Sequence, residues 1–402
     1  MRVTTPLIYR LGVEAIARQQ ADLLRTQQHI ASSKRMLTPS DDPIGAAQAT
    51  TLTQAKARVG QYSANINAAG DALAHAESVL GQAGDVLQAV RTHAVAAGAP
   101  ALSDADRRSI ATDLRAQLAQ LVALANSKDG DGAYLFAGFA TATQPFSTTA
   151  TGVAYAGDGG QRTLEVAPSR NLPISASGDR VFMGVPQGNG AFVASAGPAN
   201  TGTGVITPGT VVNPAALTGN TYRIQINVAA GVTTYDVIDV TTAAVVSSGN
   251  AYVDGGSITV AGMQVTIGGA PANGDQFTLA PSASQSVFAT IANFIATLET
   301  PVSTGADRAG LANGLNRALA DVDQGLERIL TVRAEMGAGM RELETLAAGN
   351  EGQQILHDQA LSRLQDLDYN QALSDFARQQ LALEAAQKSF IQVSGLTLFD
   401  FI

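Results

Sequence analysis

Between residues 45 and 97 an apolar residue returns at every seventh position: Leu52, Val59, Ile66, Leu73, Leu80 and Leu87. Three places after each stand Ala55, Tyr62, Ala69, Ala76, Ala83 and Val90. Together they make the a and d positions of a helix that packs along its length against other helices. The spacing predicts one helix roughly 75 Å long, at about 1.5 Å per residue. Such a helix cannot bury its stripe alone, and the alanines at d allow a partner's backbone to approach closely. The chain must therefore supply further long helices.

A second series, Leu315, Val322, Ile329, Met336 and Leu343, has the same spacing, with Leu319, Leu326 and Met340 beside it. The two series are the expected helix-bundle core. Narrower stripes occupy the chain ends: Tyr9, Ile16, Leu23 and Ile30 on one side, Tyr369, Phe376, Leu383 and Phe390 on the other. Gln19, Gln20, Gln27, Gln379, Gln380 and Gln387 flank them. A helix with so thin an apolar face is marginal by itself. The ends are expected to stay largely disordered in the free monomer and to become helical when neighbouring subunits complete their burial. They are the expected assembly interface.

Punctuation divides the rest. Asp42 followed by Pro43 is an N-cap signal for the long helix, because proline lacks a donor where none is needed. Ser103 or Asp104 should cap another helix bearing Ile110, Leu114, Leu118, Leu121 and Leu124, and Val287, Ile291, Phe294, Ile295 and Leu298 mark a short one. From 133 to 284 glycine, threonine and valine dominate, with strands expected at 221–228, 234–240, 257–260 and 263–267. The pairs Gly159-Gly160, Gly255-Gly256 and Gly268-Gly269 are expected as hairpin turns. The predicted class is mainly α with a β insertion, a long antiparallel bundle built from both chain ends. Its domains are 1–42 with 350–402 as terminal coiled-coil helices, 43–185 with 285–349 as the bundle core with a small β region, and 186–284 as an inserted outer β domain.

Reaction chemistry finds little support. There is no cysteine, and the four histidines, His29, His75, His93 and His357, are scattered without partners at metal-ligand spacing. Asp41-Asp42 and Asp366 with Asp368 read as capping groups, and the loop from Asp129 as a turn. No catalytic residue, metal or cofactor is expected, and the chain is not expected to be an enzyme. Net charge is −9 with only 15% charged residues, which disfavours nucleic acid as a partner. No apolar run reaches transmembrane length, so membrane insertion is not expected, and residues 1–12 lack the pattern of a cleaved leader.

Ser33-Lys34-Arg35-Met36-Leu37-Thr38-Pro39-Ser40-Asp41-Asp42-Pro43 resembles the Ser-Gly-Lys-Arg…Pro-Ser-Asp-Asp-Pro stretch of the bacterial flagellin superfamily, with Ser33 where glycine is usual. Residues 65–95, 106–139, 366–372 and 381–390 are similar to the superfamily's other terminal segments. The ending from Ser394 through Leu398 and Phe399 to Ile402 resembles that of the branch joining hook to filament, with Phe401 and Ile402 replacing tyrosine and leucine. This resemblance implies a secreted structural protein of the flagellum, exported through its type III apparatus, that self-assembles as a ring. It implies hook-associated protein 1, flagellin and a cytoplasmic export chaperone as partners, with Leu398 and Phe399 joining the assembly interface. A filament flagellin, or a glycan-binding surface protein carried by the β insertion, is the alternative.

Overall fold

Asp42 and Pro43 start α2 (Pro43–Ala97), and the Asp42 carboxylate accepts from the Gly45 amide at 2.9 Å. The computed structural model describes residues 5–150 and 152–395. Its other long helices are α1 (Thr5–Ser32), α3 (Asp104–Ala125), α4 (Val287–Glu299), α5 (Gly305–Gln365) and α6 (Tyr369–Gly395). The chain forms two compact units, Met1–Ala64 with Thr345–Ile402, and Asn65–Glu344. The unit boundaries fall within α2 and α5, so each helix contributes to both.

In the unit Asn65–Glu344, α2 and α5 run antiparallel: Leu87 lies against Gly325 and Leu73 against Gly339, each at 3.3 Å from the position a glycine Cβ would take. Ile66, Leu73, Leu80 and Leu87 are buried with Leu315, Val322, Ile329, Met336 and Leu343. Each such side chain contributes about 1.5–3 kcal/mol by leaving water. The seam is flanked by ion pairs, Arg333 to Glu77 at 2.6 Å and Arg91 to Asp323 at 2.7 Å. In the other unit Val59 is buried and Leu52 only half-buried.

The start of α3 is a capping box: the Ser103 hydroxyl accepts from the Asp106 amide, and the Asp106 carboxylate accepts from the Ser103 amide. Beside α3 and α4 lies a small β region of two hairpins, β1 (Phe146–Thr149) with β2 (Gly152–Tyr155), and β3 (Thr163–Ala167) with β4 (Arg170–Pro173). Phe136, Phe146, Phe182 and Phe288 cluster here with ring centroids 5.3 to 5.8 Å apart, which joins hairpins and helices into one core.

The inserted domain is entered and left through β5 (Val185–Pro186), which pairs with β15 (Ser284–Gln285). Between them lie β6 (Phe192–Ala196), β7 (Val205–Ile206), β8 (Thr210–Val211), β9 (Tyr222–Ala229), β10 (Val232–Asp239), β11 (Ala244–Ala251), β12 (Ser257–Val260), β13 (Met263–Gly268) and β14 (Gln276–Pro281). An antiparallel sheet in the order β11-β10-β9-β14-β6 and a smaller one, in which β13 pairs with β12, β7 and β8, share a core around Ile224, Ile226, Val265, Ile267 and Phe277. Strand alternation sends these residues to one side, as period two requires.

Strands β6, β11 and β14 were not among the expected ones. The tight hairpin turns also fall elsewhere than at the glycine pairs, at Ala230-Gly231 and Ala261-Gly262, where both residues have positive φ. That is the type I′ geometry that matches strand twist.

Side chains of α5 grip the inserted domain. Asn313 accepts from the Ile206 amide at 2.8 Å and donates to the Gly204 carbonyl at 3.0 Å, while Asn316 donates to the Ile206 carbonyl at 3.2 Å. The Asp321 carboxylate accepts from the Gly188 amide at 2.6 Å. The two asparagines occupy main-chain sites of Ile206, on the edge strand β7, that would otherwise be open.

Candidate assembly surface

The site builds from the turn at each inner end of the terminal helices. Ser33 follows α1 with φ +60°, the left-handed conformation that explains why glycine is usual there. Its hydroxyl meets the Tyr369 hydroxyl at 2.5 Å. Next to it the chains pair: the Leu367 amide donates to the Ser33 carbonyl at 3.1 Å, and the Arg35 amide to the Gln365 carbonyl at 2.7 Å. Asp368 caps α6, accepting from the Asn370 and Gln371 amides, and Asp366 accepts from the Ser362 hydroxyl. The Asp41 carboxylate accepts from the Leu37 and Thr38 amides, and these bonds hold its carboxyl below the usual carboxylate range. The acidic residues singled out in the sequence are therefore engaged in turns and caps. The loop from Asp129 likewise closes on itself, its carboxylate accepting from the Asp131 and Ala133 amides.

From this junction α1 and α6 lie along one another. The rings of Tyr9 and Phe390 meet at 4.9 Å, edge to face. Gly12 lets the helices come close at that crossing, since a Cβ there would stand 2.6 Å from the Phe390 ring and the ring would have to move. The ends are thus a helix pair here, where the sequence led to an expectation of disorder in the free monomer. The two stripes interlock and each supplies the partner the other lacks.

The pairing covers the stripes only in part. Ile16, Leu23, Ile30, Phe376, Leu383 and Phe390 are half-buried, and Tyr9 and Tyr369 are exposed. Leu398 and Phe399 lie outside the described residues. A further set, Leu11, Val13, Leu24, Leu373, Leu381 and Ile391, is exposed and does not belong to the seven-spaced stripes. The sequence carried a signal for it in the doubled apolar positions Leu23-Leu24 and Phe390-Ile391, which widen the face by one residue. So many large apolar side chains left in water on one helix pair mark a surface built to be covered. Chemically it offers burial and shape rather than reaction. Among the described residues no cluster of metal-ligating side chains occurs, and no helix is long and apolar enough to cross a membrane.

The chain is similar to known proteins along its whole length. Residues 11–141 match the family described as the bacterial flagellin N-terminal helical region. Over its whole length the chain is 30% identical to flagellar hook-associated protein 3 of Escherichia coli (strain K12), covering 99% of that protein. A crystal structure of flagellar hook-associated protein 3 from Legionella pneumophila superposes with a TM-score of 0.75 at 30% identity, over 78% of this chain and 98% of that one. The crystal structure of FlgL from Xanthomonas campestris superposes with a TM-score of 0.71 at 34% identity, over 77% of this chain and 99% of the other.

Proposed function

The chain belongs to the flagellar hook-associated protein 3 family, and from that premise we propose that it assembles as a ring at the junction of hook and filament, through its terminal helices. It is a structural component of the bacterial flagellum. The observation that carries the reading is the likeness to junction proteins from one end of the chain to the other, which favours the junction over a filament flagellin.

In this reading Tyr9, Ile16, Leu23, Ile30, Tyr369, Phe376, Leu383 and Phe390, with Leu398 and Phe399, form the assembly interface. The exposed residues Leu24, Leu381 and Ile391 extend it. The ring contacts hook-associated protein 1 on one side and flagellin on the other. A cytoplasmic chaperone shields α6 before export through the flagellar type III apparatus. The α2–α5 bundle holds the terminal pair in place, and 186–284 serves as an outer domain. The role is mechanical and involves no catalysis or cofactor.

Deletion of the gene tests it. Cells should retain hooks but shed flagellin into the medium, and antibody against the β insertion should label wild-type flagella only at the hook-filament boundary. Label along the filament, or loss of all flagellin polymer on deletion, would identify a filament subunit instead.

A further inference from the structure

Ile44 stands in the first turn of α2 and is 74% exposed, more than any other large apolar side chain among the described residues. Asp42 and Pro43 fix that turn, so the side chain is held out in water by a capped helix start. On the same stretch of α2 lies a cleft of about 380 Å³. Met36, Leu37, Pro39, Ala46 and Ala49 give it an apolar part, and Thr38, Thr50, Thr53, Gln54 and Gln365 a polar one. Lys34 is the one charged residue lining it.

Helix geometry relates the two features. At about 100° per residue, Ala46, Ala49, Thr50 and Thr53 stand about 140° to 240° round the helix from Ile44. The projecting side chain and the cleft therefore occupy opposite sides of one helix, the cleft beginning within a turn of Ile44 and running about two turns further along it. Both are pre-formed. Asp41 pins the Leu37 side of the cleft by accepting from the Leu37 and Thr38 amides at 3.0 and 2.9 Å, and the Arg35 amide ties the same strand to the Gln365 carbonyl. Little ordering cost remains for binding.

We propose that Ile44 of one copy seats in the Met36–Leu37–Ala49 cleft of the next copy, so that subunits join head to tail through α2. The occupant is a second copy because the projection and a recess whose apolar part, Met36, Leu37, Pro39, Ala46 and Ala49, can receive it lie on one chain, on opposite faces. Such a contact is heterologous: it repeats around a ring or along a helix and cannot close a two-fold dimer. The inference rests on the reading that copies of this chain assemble with one another.

The chain has no cysteine, so introduced thiols report without background. The pair Ile44→Cys with Thr50→Cys cannot bridge within one chain, because six residues of helix separate the Cα atoms by about 9 Å where a disulfide needs less than about 7 Å. Full-length double variant, assembled on isolated hooks and oxidised, should give a ladder of linked multimers. Each single variant should stay monomeric, and an equimolar mixture of the two singles should give dimers and nothing longer. Ile44→Lys, which sets a cation against Lys34, should lower retention on hooks at least about tenfold while leaving helix content and melting unchanged. Thr50→Trp, at an exposed position, should do the same by filling the cleft from the other side. Dimers from Ile44→Cys alone, or no ladder while the wild type is retained on hooks, would overturn the head-to-tail contact and leave assembly standing. Wild-type protein that is neither retained on hooks nor self-associating would overturn both.

Discussion

Asp321 sits where a carboxylate is costly. Its side chain is 5% exposed on α5, with the Gly188 amide at 2.6 Å and Arg317 at 3.7 Å. Burial raises its carboxyl above the usual range, and the Gly188 bond and Arg317 only partly offset this. A raised folded-state value means the folded protein holds this proton more tightly than the unfolded chain. Stability from this group is therefore greatest below the unfolded carboxylate range and falls as pH rises through the folded value. Asp321→Asn keeps an oxygen for the Gly188 amide and removes the buried charge. It should melt at or above the wild type at pH 7, with the difference shrinking as the pH is lowered toward 4. Asp321→Ala should instead lose about 1–3 kcal/mol, since it strands a buried amide. Thermal melts at the two pH values check both. Ser33 shows a second residue-scale compromise, a left-handed conformation accepted at a site where its hydroxyl gains Tyr369.

Among elements, α2 and α5 carry the fold and α1 and α6 carry the surface. Leu80 is fully buried in the α2 seam. Leu80→Asp should cost about 4–5 kcal/mol or more, because an unpaired carboxylate would replace apolar packing. The check is chemical denaturation, and soluble protein with a normal midpoint would contradict the burial. Phe376→Ala with Phe390→Ala should act differently. The melting transition of the α2–α5 core should barely move, while retention on isolated hooks is lost, each ring being worth about 3–5 kcal/mol once buried. A large fall in melting with normal retention would place these rings in the monomer core. The long helices were legible because a seven-residue apolar period leaves few alternatives, and the caps Asp42 and Ser103 stood in plain view. β11 was not, because Ala-Val-Val-Ser-Ser-Gly-Asn-Ala lies at a sheet edge with little burial to impose alternation. The hairpin turns escaped for a related reason: Ala230 and Ala261 take positive φ against their own preference, under the demand of the strands they join. At the surface, the stripes could be read from spacing. Of the exposed residues, Leu24 and Ile391 left a trace in the doubled positions Leu23-Leu24 and Phe390-Ile391, but Leu381 left none, since which side of a marginal helix meets its partner is decided by the partner.

At the scale of the whole chain, charge is divided unevenly. Residues 1–64 and 345–402 hold eleven basic and eleven acidic residues, leaving fourteen basic and twenty-three acidic in 65–344. The net −9 thus belongs wholly to the larger unit, and the terminal unit can pack against copies of itself without accumulating like charge. The β insertion joins through neighbouring strands, with the Gln187 amide donating to the Ala283 carbonyl at 3.0 Å. Replacing residues 188–282 by a short flexible linker should therefore leave the helical part folded, with Asn313, Asn316 and Asp321 released to water, and motility largely intact. Circular dichroism and swimming assays check this, and global unfolding would show the insertion to be part of the helical core. The pairing of α1 with α6 has one more consequence, which concerns time. Translation makes α1 well before α6, so the surface they share does not exist until all the elements between them have been made. A chain cut short anywhere before Leu367 carries α1 without its counterpart and lacks the Ser33–Leu367 tie. In the proposed assembly, the presence of α6 is thereby a condition for joining, a proofreading step that needs no separate inspector.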